Sequence, residues 1–166
     1  LVLDDGRPAA PNVVDLPDGV IVAELSDALT AHEDLVRAHL NSLVGIDSHA
    51  GALNAARWDG GLFVYVPRGV HVERPIEAVL TATGAEGRIY GRTLVVLEEG
   101  AKATVIDRYV SPDLGGTVQA STVAELVVAQ GAELEHMTSV SWGSGVHHHA
   151  TIAAAAGRDS KVRSVV

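Results

Sequence analysis

The chain contains no cysteine. Disulfides are therefore excluded, and so is a thiolate-bound metal centre within these 166 residues. Aromatic residues are scarce at 4%, with a single Phe. Gly and Val are frequent instead, the profile of stacked, tightly turned β-structure with narrow layers. Basic residues are few and scattered, 12 Lys and Arg against 21 Asp and Glu, and the formal net charge is −9. A nucleic-acid groove needs a basic stripe to displace counterions, so that class is disfavoured. No apolar run approaches the roughly 18 residues of a membrane span. The opening LVLDDGRP has neither an initiator Met nor a basic stretch, unlike a secretion signal. These features predict a cytoplasmic chain cut from a longer protein.

What is present is enough for one domain, since 47% of the residues are hydrophobic. Two regions are predicted: residues 1–60 as an N-terminal lead-in with one helix, and residues 61–166 as repeating β-rungs. In the lead-in, Pro17, Asp18 and Gly19 signal a turn before a short strand, Val20 to Leu25. Thr30 and Glu33 have the spacing of a capping box, Leu35 to Leu43 recur at helical spacing, and Gly45 suits the position after the helix. The stretch DSHAGALNAARWDGG reads as a linker.

From Gly61 the pattern becomes strand, tight turn, strand, four times over. The turn glycines are Gly69, Gly100, Gly131 and Gly157, spaced by 31, 31 and 26 residues. Five residues before them stand Val64, Val95, Leu126 and Ile152, and three before stand Val66, Leu97, Val128 and Ala154. Three residues after them stand Val72, Ala103, Leu134 and Ser160. Side chains two apart on a strand share a face, so these columns define one inward face. A repeating apolar column with a turn Gly in each unit is a solenoid signature. The predicted fold is mainly β, a right-handed parallel β-helix with a small helical lead-in. Its last rung has nothing to cover it, so further rungs or a partner are expected there.

The run His147-His148-His149 splits across that register. His148 has inward parity, while His147 and His149 face outward. An H-x-H pair holds a metal if a third ligand arrives from a neighbouring rung. The run therefore has two readings: surface or interface residues, or a metal site on His147 and His149. The cupin pattern fails here, because Ala153 stands where its Glu ligand belongs. His136 has inward parity and suits a core histidine with a hydrogen-bond partner. Asp107 and Glu125 form the candidate carboxylate pair of a β-helix carbohydrate-active enzyme. No phosphate-loop spacing occurs.

The stretch ALNAARWDGGLFVYVPRGVHVERPIEAVL, Ala52 to Leu80, resembles the SufB/SufD family of iron–sulfur cluster assembly proteins. The matching residues are Leu53, Asn54, Ala56, Asp59, Gly60, Val64, Tyr65, Val66, Pro67, Gly69, Val70, Val72, Pro75 and Ile76. The segment from Arg92 to Asp107 is similar to the family's second rung. The short lead-in resembles SufD more than SufB. The resemblance implies a non-enzymatic scaffold subunit, paired with a homologous SufB-like β-helix subunit and a SufC-like ABC-type ATPase, with self-association open. Iron–sulfur clusters would be handled by the whole complex, with no cofactor held in this stretch. It assigns no catalytic or cofactor-binding residue here, because the family's cluster-related positions lie in later rungs. The alternatives are a β-helix carbohydrate-active enzyme and a metal-binding β protein.

Overall fold

Two β-sheets face each other across a narrow apolar interior in the computed structural model, which describes residues 2–4, 7–9, 15–58 and 60–166. The strands are β1 (Val2–Asp4), β2 (Arg7–Ala9), β3 (Ile21–Glu24), β4 (Gly60–Val66), β5 (Ile76–Thr81), β6 (Gly87–Leu97), β7 (Lys102–Val110), β8 (Val118–Val128), β9 (Glu133–Ser141), β10 (Val146–Ala156) and β11 (Lys161–Val165). One sheet has the order β11-β9-β7-β5-β1-β2 and the other β10-β8-β6-β4-β3. From β4 onward the chain alternates between the sheets, and every strand pairs in parallel with the equivalent strand of the next turn. That arrangement is a β-solenoid of about three turns.

The inward columns form as expected. Val64, Val95 and Leu126 stack in register and are fully buried, as are Val66 and Leu97 beside them. Each such side chain contributes on the order of 2 kcal/mol by leaving water. Ala103, Val105 and Leu134 meet them from the opposite sheet. Pairing in the second sheet resumes at Ile76, directly after Pro75, which has no N–H for the ladder.

The fourth unit differs from the sequence reading. Ile152 pairs with Ala124, and Ala154 is the residue that stacks on Leu126. The repeat here is 28 residues: Leu126 to Ala154, and Glu133 to Lys161. The cause is a shorter connection. Residues 111–117 join β7 to β8, whereas only 142–145 join β9 to β10. Asp159, at φ 58°, therefore occupies the slot held by Gly69, Gly100 and Gly131 at φ 71°, 69° and 66°. Anchoring on Gly157 slipped the register by two residues. The parity survived, so every inward assignment on β10 stands.

At these corners the N–H of Gly69 donates to Glu99 O, that of Gly100 to Gln130 O and that of Gly131 to Arg158 O, at 2.9–3.0 Å. The corners thus continue the parallel ladder. A positive φ costs a side-chain-bearing residue free energy that Gly avoids. We expect Asp159→Gly to raise stability by about 0.5 kcal/mol, read as a higher midpoint in urea unfolding.

The lead-in holds three helices in place of one: α1 (Leu25–Ala31), α2 (Glu33–His39) and α3 (His49–Arg57). Leu25 starts α1 and does not end β3. The N-cap of α1 is Glu24, whose Oε2 accepts from Ser26 N at 2.7 Å and Asp27 N at 3.1 Å. Its Oε1 accepts from Gly61 N at 2.9 Å, tying the strand end to β4. Thr30 caps nothing. It lies inside α1 with its hydroxyl toward Ser26 O, and His32 caps α2 without a side-chain bond. α2 ends at His39, and Asn41, at φ 64°, turns the chain where Gly45 was expected to. The supposed linker contains α3, capped by Ser48 Oγ on Gly51 N at 3.0 Å. The helices pack on the outer face of β4 and β6, where Leu25, Ala28 and Val36 bury Phe63, Leu94 and Val96. No helix among the described residues is long and apolar enough to cross a membrane.

Candidate functional site

The outer face that the helices cover contains a buried ion pair. Arg92 on β6 and Glu125 on β8 both have outward parity, beside the apolar Leu94 and Val127. Nη2 of Arg92 donates to Glu125 Oε2 at 2.6 Å, and both side chains are 0% exposed. Nη1 donates to Asn54 Oδ1 at 3.0 Å, and Asn54 Nδ2 donates to Gly91 O and Ser121 O. The Glu125 carboxylate also accepts from the N–H groups of Asn41, Leu43 and Val44 at 2.8–3.1 Å. Burial pushes its carboxyl up, but the Arg92 guanidinium and these three N–H groups outweigh that and hold it below the usual range. The cluster fastens the α2–α3 loop and α3 to the solenoid. Asn54 and Arg92 belong to the motif stretches singled out in the sequence. Asp59 of the same motif lies outside the described residues.

Inside the solenoid runs a second polar chain. Thr93 Oγ1 donates to Asp107 Oδ1 at 3.1 Å, Asp107 Oδ2 lies 3.1 Å from His136 Nε2, and His136 Nδ1 lies 3.1 Å from Ser164 Oγ. His136 is the partnered core histidine expected from its parity. Asp107 and Glu125 do not form a catalytic pair. Asp107 points into the lumen from one sheet and Glu125 points out of the other, each with its own partners. The two strands' parities place them on opposite sides of a sheet, so no substrate meets both. We expect Asp107→Ala to cost about 2 kcal/mol, because it strands the Thr93 and His136 donors in the lumen. Asp107→Asn, which keeps one acceptor, should lose less, and urea unfolding of the two variants separates them.

His148 enters the lumen as its parity requires. Its Nε2 lies 2.8 Å from Thr122 Oγ1, and its ring stands edge-on to Tyr109 and Trp142 at centroid distances of 5.1 and 5.7 Å. Burial, with the neighbouring His149, pushes the imidazole down, which favours its neutral form. Burial and the Asp107 charge push the Tyr109 phenol up.

His147 and His149 are exposed on the outer face of β10. They line a groove of about 720 Å³ between that face and α3, together with Arg88, Tyr90 and Gln119. Among the described residues, no three His, Asp or Glu side chains gather as a metal-ligand set. Sequence reasoning placed both histidines outward but missed the groove, because α3, which walls it, read as a linker.

Comparison with known proteins covers almost the whole chain. Residues 79–166 match the family model described as SUF system FeS cluster assembly, SufBD core domain. Residues 2–78 match the SufBD protein N-terminal region. An iron–sulfur cluster assembly SufBD family protein of Staphylococcus epidermidis is 30% identical over 134 residues, 80% of this chain. The iron–sulfur cluster assembly protein SufB of Bacillus subtilis is likewise 30% identical over 134 residues. A SufBD family protein of Staphylococcus saprophyticus is 28% identical over the same length. The matched region spans 29% of the length of each of these relatives.

Proposed function

Because the chain belongs to the SufBD family of iron–sulfur cluster assembly proteins, we propose that it is part of a scaffold subunit of a cytoplasmic Suf-type assembly complex. The subunit pairs with a homologous SufB-like β-helix subunit and with a SufC-like ABC-type ATPase, and any ATP hydrolysis resides in that partner. Of the two family members, we propose the SufD type, on the resemblance of the lead-in. The observation that supports the reading best is the pair of family matches, which run through both the helical lead-in and the rungs.

The physical design agrees with a scaffold. The buried carboxylates of both polar clusters have internal partners. Glu125 is held by Arg92 and three backbone N–H groups, and Asp107 by Thr93 and His136. Such groups fix a shape. Depleting the protein in its own cells tests the role. The activities of iron–sulfur enzymes should fall, while iron-independent enzymes hold. Unchanged iron–sulfur enzyme activity under full depletion would refute it.

A further inference from the structure

Register fixes the floor of the groove beside α3. Arg88, Gln119 and His147 form one rank across β6, β8 and β10, and Tyr90, Ser121 and His149 form the next. Neighbouring strands lie about 4.8 Å apart, so Arg88 and His147 flank Gln119 across roughly 10 Å. His147 and His149, two residues apart on one strand, are separated by roughly 7 Å. The first turns of α3 supply the wall, with His49 beside the apolar Ala50 and Leu53. The volume of about 720 Å³ is that of a small-molecule site.

The charge of this groove runs against the rest of the chain. The sequence has 21 acidic residues against 12 basic ones, yet no described residue lining the groove is acidic. Arg68, Arg92 and Arg108 each meet a carboxylate. Arg88, exposed at the groove, meets none among the described residues. Arg88 shares that floor with two exposed imidazoles, and all three side chains can donate to anionic oxygens.

We propose that this groove binds a phosphate ester with an apolar body, of nucleoside monophosphate size. The phosphate lies over Arg88, His147 and His149. Donors spread over several ångströms suit a dianion with three free oxygens better than a single carboxylate. The organic body lies against Leu53, Ala50 and Tyr90 on the wall and floor. With no three-ligand set in place, a bare cation is the poorer occupant. The site is independent of the assembly role, and its failure would leave that role untouched.

The test is isothermal titration calorimetry on the full-length protein, with AMP, adenosine and inorganic phosphate as probes. AMP should saturate at one site per chain. Adenosine, which lacks the anion, and inorganic phosphate, which lacks the body, should each bind at least about tenfold more weakly. Arg88→Gln and the double variant His147→Gln/His149→Gln should each weaken AMP at least about tenfold. Both alter exposed side chains, so their circular dichroism should match the parent. Arg163→Gln, on the other sheet, should change nothing. Absence of saturable AMP binding would overturn the proposal, as would affinity unchanged in both groove variants. Inorganic phosphate binding as tightly as AMP would overturn it too, by reducing the groove to a bare anion site.

Discussion

Glu125→Ala should cost about 3–5 kcal/mol of folding stability, the loss expected when one member of a buried ion pair is removed. Arg92 would keep a guanidinium that is fully buried, with only Asn54 left as a side-chain partner. The N–H groups of Asn41, Leu43 and Val44 would lose their shared acceptor at the same time. The damage should start locally. Amide exchange at Leu43 and Val44 should quicken before the inner columns open, because the helices come loose from a solenoid that still has its own core. Urea unfolding measures the total. The double variant Arg92→Met/Glu125→Leu should regain the part due to the stranded guanidinium, since it leaves no charge buried, while the three N–H groups still lack their acceptor. A loss below about 1 kcal/mol for Glu125→Ala would show that the pair is not the fastening described here.

The same carboxylate sets an acid limit. Its folded-state pKa lies below the usual range. The pair's stabilisation is therefore fully present above the unfolded value of about 4.3. It is lost as pH falls through the lower folded value. Wild-type stability should fall through this acid window more steeply than that of the Arg92→Met/Glu125→Leu variant, which has no carboxylate there to protonate.

Gly61→Ala should be nearly as damaging, at about 3 kcal/mol or more. A Cβ at Gly61 would stand 1.8 Å from Arg92 O and 2.8 Å from Arg92 C. Those are backbone atoms of the adjacent strand, where Gly61 and Arg92 are register partners. A side chain could swing aside, but this backbone is fixed by the parallel ladder, so the sheet itself must open. The shift would also pull Gly61 N from Glu24 Oε1, the bond between β4 and the cap of α1. Gly69→Ala makes the useful comparison. Its φ of 71° is unfavourable for Ala, but its Cβ would meet nothing within 4 Å. Its cost should stay near the ~1–2 kcal/mol of a left-handed residue. Urea unfolding of both variants decides, and a larger loss at Gly69 than at Gly61 would contradict the close approach of β4 and β6.

The two variants also mark what the sequence made legible. Corner glycines such as Gly69 announce themselves by recurrence, and with the columns around Val64, Val95 and Leu126 they revealed a solenoid. Parity alone was enough to send His148 and His136 inward and His147 and His149 outward. The fourth register was not legible, because Asp159 takes a conformation that Gly holds elsewhere, and the shortened 142–145 connection has no signal of its own. The helices were obscured by local competition. Thr30 and Glu33 have capping-box spacing, but Glu24, at the end of a paired strand, is already placed to cap the chain a turn and a half earlier. The Arg92–Glu125–Asn54 cluster joins residues far apart in sequence, which spacing cannot pair. A signal did exist. Arg92 and Glu125 stand next to the outward apolar residues Leu94, Val96, Val123 and Val127, and a charge within a covered face needs a partner. Asp107 and Glu125 look alike as carboxylates in strands, but parity separates them: Asp107 is four after the inward Ala103, and Glu125 is one before the inward Leu126.

The most direct measurement is affinity capture of the full-length protein from its own cell extract, with mass spectrometry of what accompanies it. An ABC-type ATPase and a second β-helix subunit of the same family should be recovered in near-stoichiometric amounts. Recovery of neither, from an extract in which both are detected, would contradict the scaffold assignment.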